Sequence, residues 1–220
     1  MSMTSSPRAA PLTNRQRLVV HARRLFAEKG FAEVSVDEVA AAAGLTKGAV
    51  YYQFKDKTDL FRAACESVLA DVRDKVDTAT MGQSAHHLDE IVIGADRLYD
   101  AYEAPDARRL LLVDGLTVLG VDGWTAMQEP VGIGLIAHAL THLAEDGRLE
   151  PDVVPALAHL MFGAFVQGVL RIAAAADPQA ASRDVRRATR TLTQALFSGA
   201  GAPLKEPAWL PLSPPLPPTS

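Results

Sequence analysis

The chain has 220 residues and a formal net charge of −4; apolar residues make up 48% of the sequence and charged residues 22%. This length and composition predict a globular protein of one or two domains with enough apolar side chains for a sizeable core. The single cysteine, Cys65, excludes a disulfide framework within the chain and leaves too few thiolates for a structural zinc site, so a cytoplasmic location is expected.

The chain is expected to begin with a short arm followed by a helix. Residues 1–12 are polar and rich in Pro and Ala, which predicts a flexible N-terminal arm. Thr13 and Gln16 have the spacing of a capping box, and apolar residues then recur at helical intervals. Gly30 is expected to end this helix in a left-handed conformation.

Three more helix starts follow closely. Ser35 opens a short second helix that ends at Gly44, and Thr46 caps a short third helix. Asp56 caps a fourth helix that extends to about residue 78. Three short helices with a tight glycine turn between the second and third predict a helix-turn-helix domain at residues 13–56, here called the head.

Residues 57–198, here called the body, are predicted to be helical throughout. Helical patterns are found near 84–102, 105–119, 124–146, 151–176 and 178–197. The predicted fold class is therefore all-α, with an N-terminal three-helix head and a larger helical-bundle domain, about nine helices in total.

The last segment, residues 199–220, is expected to be a solvated tail. Seven of the fourteen prolines lie between Pro203 and Pro218. Such a segment forms polyproline-like structure with little core-forming capacity. Docking of this tail on a partner is the alternative.

The longest apolar run predicts a buried helix. It extends from Leu160 to Ala176 and is interrupted by Arg171. An interrupted run of this length is more typical of a core helix than of a membrane span. No membrane partner is expected.

The charge is distributed unevenly along the chain. Residues 1–60 carry nine Lys and Arg against six Asp and Glu, a net charge of +3, whereas residues 61–220 carry thirteen against twenty, a net charge of −7. A basic N-terminal part on an acidic body favours a DNA-reading head attached to a regulatory domain.

The third helix carries chemistry suited to DNA. Thr46 offers a hydroxyl and an uncapped helix N-terminus to phosphate oxygens, and Lys47 projects from the first turn. Gly48 has no side chain, so the helix can approach the duplex closely. Tyr51 and Tyr52 present phenol groups for phosphate contacts or for packing on a thymine methyl group.

Residues flanking the third helix complete the predicted DNA-binding set. Lys55 and Lys57, at the start of the fourth helix, are placed to neutralise phosphates. The alternative is a three-helix core without a DNA role, which has no need for Thr-Lys-Gly followed by paired tyrosines. The predicted DNA-binding residues are Ser35, Thr46, Lys47, Gly48, Tyr51, Tyr52, Lys55 and Lys57.

The segment from Arg17 to Phe61 resembles the DNA-binding domain of the TetR family of repressors. This segment is about a fifth of the chain, and the remainder resembles the family only in its helical layout. The matching residues are Ala22, Phe26, Gly30, Phe31, Ser35, Val36, Val39, Ala40, Ala43, Gly44, Leu45, Thr46, Lys47, Gly48, Val50, Tyr51, Tyr52, Phe54, Lys57 and Leu60.

The resemblance implies a two-fold dimer of nine-helix protomers, joined through the last two helices. Apolar and small residues at helical spacing are compatible with this interface, although the same stripe could be core within one chain. The predicted interface residues are Leu157, Ala164, Gly168, Ile172, Val185, Leu192 and Leu196.

The resemblance also implies a ligand pocket among the central helices. Adaptable methionines, flat aromatic rings and a few polar groups are typical of such cavities, and they favour a hydrophobic or aromatic effector. Ordinary core packing is the alternative for each residue. The predicted pocket residues are Tyr99, Tyr102, Leu116, Trp124, Met127, His138, Met161, Phe162 and Phe165.

A histidine pair offers a different interpretation. His138 and His142 are four residues apart, so they share a helix face and could chelate a metal with Asp146 or His159 as a third ligand. A ligand-facing or surface pair is favoured, because no Cys or HExxH pattern accompanies them. No metal or cofactor is therefore predicted.

Two other patterns are interpreted as ordinary structure. Gly132 and Gly134 predict a loosened helix beside the pocket rather than a phosphate loop, since no strand precedes them. A basic cluster in the last helix predicts a solvated face paired with acids, with a second DNA patch as the alternative. The cluster consists of Arg183, Arg186, Arg187 and Arg190.

The sequence thus predicts a ligand-responsive regulator that a small molecule releases from a palindromic operator. Repression is the expected sign of control, and activation remains open. One alternative is a constitutive dimeric DNA-binding protein without an effector. Another is a helical-bundle metalloenzyme that uses His138 and His142, but no convincing acid–base set supports an enzyme.

Overall fold

The computed structural model describes residues 11–80 and 87–198, and within these ranges every regular element is helical. Most of the predicted arm and the whole predicted tail lie outside the described residues. The first four helices are α1 (Asn14–Lys29), α2 (Val36–Ala42), α3 (Lys47–Gln53) and α4 (Lys57–Thr80). The body continues with α5 (His87–Tyr102), α6 (Pro105–Ala107), α7 (Gly115–Gln128), α8 (Gly134–Glu145), α9 (Val154–Ala174) and α10 (Pro178–Ser198).

The helix starts in the head are set by the predicted caps. Thr13 and Gln16 form the complete capping box. The Ser35 hydroxyl accepts a hydrogen bond from the Glu38 backbone N–H at 3.1 Å, but the Glu38 carboxylate binds Lys29 instead of closing a second box.

Two glycines with positive φ end the first two helices. Gly30 has φ +86° and ψ 164°, so its φ is positive as predicted while its ψ is extended rather than left-handed helical. Gly44 has φ +63° and forms the tight turn before α3. Non-glycine side chains are disfavoured at both positions.

An aromatic cluster joins the head to α4. The Phe26 ring lies 5.9 Å from the Phe31 ring and 5.2 Å from the Phe61 ring of α4. Val50 and Phe54 are buried beneath α3. The three short helices therefore form one core with the start of α4, and α3 is left with a single solvent-facing edge.

The stretch from α6 to α8 is a broken helical path. The segments Arg108–Asp114 and Glu129–Ile133 are π-helical. A Cβ atom at Gly115 would lie 2.7 Å from the Leu110 carbonyl oxygen, and one at Gly134 would lie 2.6 Å from the Glu129 carbonyl oxygen. These glycines accommodate the wider turns, which confirms the predicted loosening of the helix near Gly134.

A kink inside α7 divides this path again. Gly120 has φ 71° and ψ 171°, outside the helical region. The predicted break between residues 119 and 124 is therefore present, although the helix resumes at once.

Two helical stretches, 105–145 and 151–174, are long and apolar enough to cross a membrane by length and composition alone. The first is interrupted at Gly120 and at both π-helical segments. The second packs on α5, α8 and α10.

Candidate DNA-binding surface and ligand cavity

The solvent-facing edge of α3 is open. Tyr51 is 50% exposed and Tyr52 is 85% exposed, and a Cβ atom at Gly48 would meet nothing closer than the Thr46 hydroxyl oxygen, 3.9 Å away. The prediction of an uncapped N-terminus is wrong, because that hydroxyl accepts from the Ala49 backbone N–H at 3.2 Å. It can still donate its own proton to a phosphate.

Lys47 is held by an acid in the DNA-free protein. Its Nζ lies 2.9 Å from Oδ2 of Asp37 in α2, and both side chains are exposed. The hydrogen bond to Asp37 and the negative charge of Asp37 raise the pKa of Lys47 above its ordinary value. Lys47 is therefore a stable cation on the exposed edge, with an internal competitor for any phosphate.

The other predicted DNA-binding residues beside α3 differ in whether their side chains are free to contact DNA. Ser35 and Lys55 are exposed next to α3. The Lys57 ammonium donates to the Ala32 carbonyl at 3.2 Å and lies 4.4 Å above the Phe31 ring. The predicted phosphate contact of Lys57 stays a prediction, and the same ammonium also links α4 to the turn before α2.

Two arginines that the sequence analysis did not select hold the helix-turn-helix together. Arg15 donates to the Gln53 carbonyl at 3.1 Å and stacks over the Phe54 ring. Arg17 donates to the Ala43 carbonyl at the end of α2. Both satisfy helix C-terminal carbonyls, and thereby fix the orientation of α2 and α3 on α1.

A polar junction connects α1 to the body. Nε of Arg23 donates to Oδ2 of Asp106 at 2.7 Å, and Nη1 of Arg23 donates to Oδ2 of Asp71 at 2.6 Å. Arg23 thereby joins α1, α4 and α6. A charge-assisted pair of this geometry is among the stronger polar contacts in proteins.

A second contact joins the head to the first π-helical segment. Oδ2 of Asp114 accepts from the Phe31 backbone N–H at 2.9 Å and from Nε of Arg109 at 3.2 Å. A Cβ atom at Gly30 would lie 2.0 Å from a guanidinium nitrogen of Arg109. Gly30 therefore serves two purposes: it ends α1 and it admits Arg109.

An apolar cavity of about 90 Å³ lies in the body between α4, α5, α8, α9 and the second π-helical segment. Of the predicted pocket residues, only His138 and Phe165 line it. His138 is also the only ionisable side chain in the lining. The other lining residues are Val72, Ile91, Gly94, Ala95, Leu98, Val131, Gly132, Leu135, Ile136 and Ala139.

The remaining predicted pocket residues lie outside this cavity, and two of them, Tyr99 and Tyr102, line a second, more open cavity of about 440 Å³. Met127, Met161 and Phe162 are buried in the core, and Leu116 is 46% exposed, so its assignment to a pocket is wrong. Trp124 donates from its indole nitrogen to the Leu111 carbonyl at 2.6 Å. The Tyr99 hydroxyl is hydrogen-bonded to Thr189 of α10 at 2.7 Å.

Tyr102 belongs to a buried polar group near the cavity. It is 2% exposed, and Gln128 is 0% exposed. The Tyr102 hydroxyl and both amide atoms of Gln128 have no hydrogen-bond partner. Burial raises the pKa of Tyr102, an effect that the adjacent Gln128 amide partly offsets. The Cys65 thiol is also buried, and burial raises its pKa.

The outer face of α9 and α10 is apolar and uncovered. Leu160 is 72% exposed and Leu192 is 44% exposed. Ala164 and Leu196 are exposed too, and Leu157 and Gly168 are partly buried. Ile172 and Val185 are corrected, because both are buried inside their own chain.

The histidine pair lies at the cavity margin. Nε2 of His138 and Nε2 of His142 are 3.3 Å apart, and Nδ1 of His142 contacts Glu145 at 3.1 Å. His159 contacts Glu129 rather than this pair. In residues 11–80 and 87–198, no group of three or more His, Cys, Asp or Glu side chains could hold a metal ion.

Three of the four arginines of the basic cluster in α10 form ion pairs within the chain. Arg186 binds Asp100 at 2.6 Å, and Arg190 binds Asp96 at 2.7 Å. Arg187 binds its helix neighbour at 2.7 Å. These ion pairs confirm the solvated face and leave little free charge for a second DNA patch.

Sequence comparison places both halves of the chain in known domain families. Residues 18–64 match the family described as "Bacterial regulatory proteins, tetR family". Residues 90–196 match the family described as "Tetracyclin repressor-like, C-terminal domain".

Two curated proteins illustrate the similarity. The transcriptional regulator AcrR of Shigella flexneri is 28% identical over 71% of this chain and 76% of its own length. The transcriptional repressor AcnR of Corynebacterium efficiens is 26% identical over 78% of this chain and 88% of its own length.

Solved structures have the same fold. A TetR-family regulator from Pectobacterium atrosepticum superposes with a TM-score of 0.68 at 25% identity, covering 83% of this chain and 93% of the other. RolR in complex with resorcinol superposes with a TM-score of 0.62 at 20% identity, covering 88% and 95%.

Proposed function

The chain belongs to the TetR family of transcriptional regulators, and we propose that it is a repressor that leaves its operator when a small molecule binds in the body. It is a DNA-binding regulator and not an enzyme. The observation that carries the proposal is the open edge of α3, with Tyr51 and Tyr52 exposed beside Lys47. A helix with such an edge fits the major groove. Action on chromosomal DNA implies the cytoplasm.

Dimerisation is proposed through α9 and α10. The exposed leucines and small residues of this face would be covered in a four-helix contact between two chains. Exposed apolar surface of this kind marks interaction sites on globular proteins. A two-fold dimer would present two α3 helices to a near-palindromic operator.

The route from cavity to DNA runs through the π-helical segments. Val131 and Gly132 of the second segment line the cavity, and Asp114 of the first segment binds the head. A ligand that prefers a body with a displaced α6–α7 path would shift the population of head orientations by its differential affinity.

A constitutive DNA-binding protein is the second candidate, and the small cavity is the observation in its favour. Its volume of about 90 Å³ is below the 300–1,000 Å³ or so of typical ligand pockets. Release by a ligand therefore requires the cavity to expand. A protein without an effector would bind DNA at the same affinity in the presence of any small molecule.

A footprint of the DNA upstream of the protein's own gene tests the proposed function. We expect the full-length protein to protect one near-palindromic segment from DNase I, with two half-sites about one helical turn apart. A protein with Tyr51→Ala and Lys47→Ala together should give no footprint at the same concentration. Protection that is unchanged in this variant, or that has no preferred position, would contradict the proposal.

A further inference from the structure

We infer that Tyr102 and Gln128 form the polar end of the effector site, and that the effector is a neutral molecule with an apolar skeleton and one hydrogen-bonding group such as a phenol or an amide. The inference rests on the proposed function, because it concerns the molecule that would release the operator. It is carried by the buried polar atoms in the body and by the size of the cavity beside them.

The cavity needs an extension before it can hold a ring. It encloses about 90 Å³, whereas an engineered cavity of about 150 Å³ is large enough to bind benzene. Its lining is apolar apart from His138. As it stands, it offers an apolar chamber with few groups that could orient a ligand.

The polar pair lies one helical turn beyond this chamber. Leu98 lines the cavity, and Tyr102 follows it by four residues on α5. Val131 also lines the cavity, and Gln128 precedes it by three residues. Both polar side chains are thus three or four residues from cavity-lining residues, and the Gln128 amide lies next to the Tyr102 hydroxyl.

The polar groups of this pair are unsatisfied in the empty protein. Neither amide atom of Gln128 nor the Tyr102 hydroxyl has a hydrogen-bond partner, and both residues are almost fully buried. Such groups cost folding free energy unless another molecule supplies a donor and an acceptor. A ligand with one polar group would satisfy an amide that can both donate and accept.

A buried aromatic ring packs against Gly132, one of the residues that line the chamber. The Phe162 ring lies against Gly132, where a Cβ atom would be 2.3 Å from it, and its centroid is 5.9 Å from that of Trp124. A rotation of this ring would enlarge the chamber at the π-helical segment. Gly132 leaves room for that ring where any side chain would collide with it.

The chemistry of the pair selects against a charged ligand. Tyr102 and Cys65 are neutral, because burial raises the pKa of each, and Gln128 carries no charge. An ionic group placed between these two side chains would lose its hydration, and neither side chain supplies a counter-ion. A neutral hydrogen-bonding group loses less hydration free energy, and it regains that free energy in hydrogen bonds to the pair.

Ligand binding to the full-length protein tests this inference with a matched set of small probes. The neutral polar probes are phenol, 4-ethylphenol and acetanilide; the apolar analogues are toluene and ethylbenzene, and the anionic ones are benzoate and 4-ethylbenzoate. We expect a neutral polar probe to raise the Tm and to bind at least about tenfold more tightly than its apolar and anionic analogues in calorimetry.

Two substitutions test whether the probe binds at the polar pair. Gln128→Met and Tyr102→Phe should each weaken the best probe about tenfold or more, and Gln128→Met should raise the Tm without a probe, because it removes unsatisfied atoms at similar volume. Gln194→Met, at an exposed position of α10, is the control and should change neither quantity.

Four outcomes would overturn the inference: no probe binds the wild-type protein, the neutral polar probes bind no better than their analogues, Gln128→Met binds the best probe as tightly as the wild type, or Gln128→Met lowers the Tm. The footprint without any probe judges the proposed function separately. A normal footprint together with any of these four outcomes would contradict this inference but not the proposed function.

Discussion

The guanidinium of Arg23 in α1 donates to the carboxylate of Asp106 at the start of α6, with 2.7 Å between Nε and Oδ2. The two side chains are mostly buried, with exposed fractions of 24% and 25%. This contact and the Asp114–Phe31 contact are two polar links between the head and the α6–α7 path. A movement of that path therefore reaches α1 directly.

The Arg23–Asp106 pair predicts a pH dependence of stability. Partial burial opposes ionisation of Asp106, but the hydrogen bond and charge of Arg23 outweigh it and hold the pKa of Asp106 below its ordinary value. A carboxylate with a lowered pKa in the folded state stabilises the protein above its unfolded pKa, and the contribution disappears as the pH falls through the folded value.

We expect the unfolding free energy of the wild type to fall by about 0.5–1 kcal/mol more than that of Asp106→Asn between pH 7 and pH 3. Urea denaturation at a series of pH values measures this difference. Asp152→Asn, at an exposed position, is the control and should follow the wild type. Equal pH dependence of Asp106→Asn and wild type would show that the pair is not stabilising.

The Lys47–Asp37 pair predicts a substitution that strengthens DNA binding. In the free protein, the Asp37 carboxylate competes with phosphate for the Lys47 ammonium. Asp37→Asn should raise operator affinity about twofold to fivefold at low salt, an effect that is reduced at high salt. Fluorescence anisotropy with labelled operator measures it.

Glu33→Gln is the control for this prediction, because it removes one exposed negative charge from the same head. It should change the affinity less than Asp37→Asn. Equal gains in the two variants would mean that net charge alone, and not release of Lys47, governs the effect.

The glycines that follow the π-helical segments predict a loss of stability when Ala replaces them. Gly134→Ala places a Cβ atom 2.6 Å from the Glu129 carbonyl oxygen, so the segment must shift. We expect a loss of about 1–3 kcal/mol in unfolding free energy, measured by chemical denaturation.

Gly48→Ala provides the contrast. A Cβ atom there meets nothing closer than 3.9 Å, and Ala is favoured over Gly in a helix by about 1 kcal/mol. Stability should therefore increase while operator affinity falls, since the methyl group stands on the edge that faces DNA. If Gly48→Ala loses as much stability as Gly134→Ala, the space around the Cβ position of Gly48 is not open.

The uncovered face of α9 and α10 predicts an oligomeric state. Leu192→Asp places a charge in the centre of the proposed interface, where its desolvation is unfavourable. Light scattering after size exclusion should show a dimer for the wild type and a monomer for the variant. Val121→Asp, at a 68% exposed position of α7, should remain dimeric; a dimeric Leu192→Asp would place the interface elsewhere.

The head was the most predictable part of the molecule. Thr13, Thr46 and Asp56 cap helices where local sequence places them, and Gly44 has the positive φ that its turn requires. These features depend on interactions within a few residues, so the sequence carries the whole signal. The exposure of Tyr51 and Tyr52 follows from the burial of Val50 and Phe54 on the opposite side of the same short helix.

The body was less predictable, because its packing depends on helical register. A π-helical segment adds a residue to a turn and rotates every later side chain relative to a regular helix. Leu116 follows the first such segment and is 46% exposed, whereas the sequence analysis assigned it to the pocket. Periodicity also cannot tell which chain an apolar face contacts, so Ile172 and Val185 were assigned to a partner while they pack within their own chain.

The most direct test of the central claim is the affinity of the full-length protein for its footprinted operator, measured by anisotropy for wild type, Lys47→Ala, Tyr51→Ala and Lys75→Ala. Lys75, an exposed lysine of α4, controls for loss of one positive charge. If the α3 edge binds DNA, the first two substitutions each weaken binding about tenfold and Lys75→Ala leaves it near the wild-type value. Equal affinity for all four proteins would contradict the claim that this edge contacts the operator.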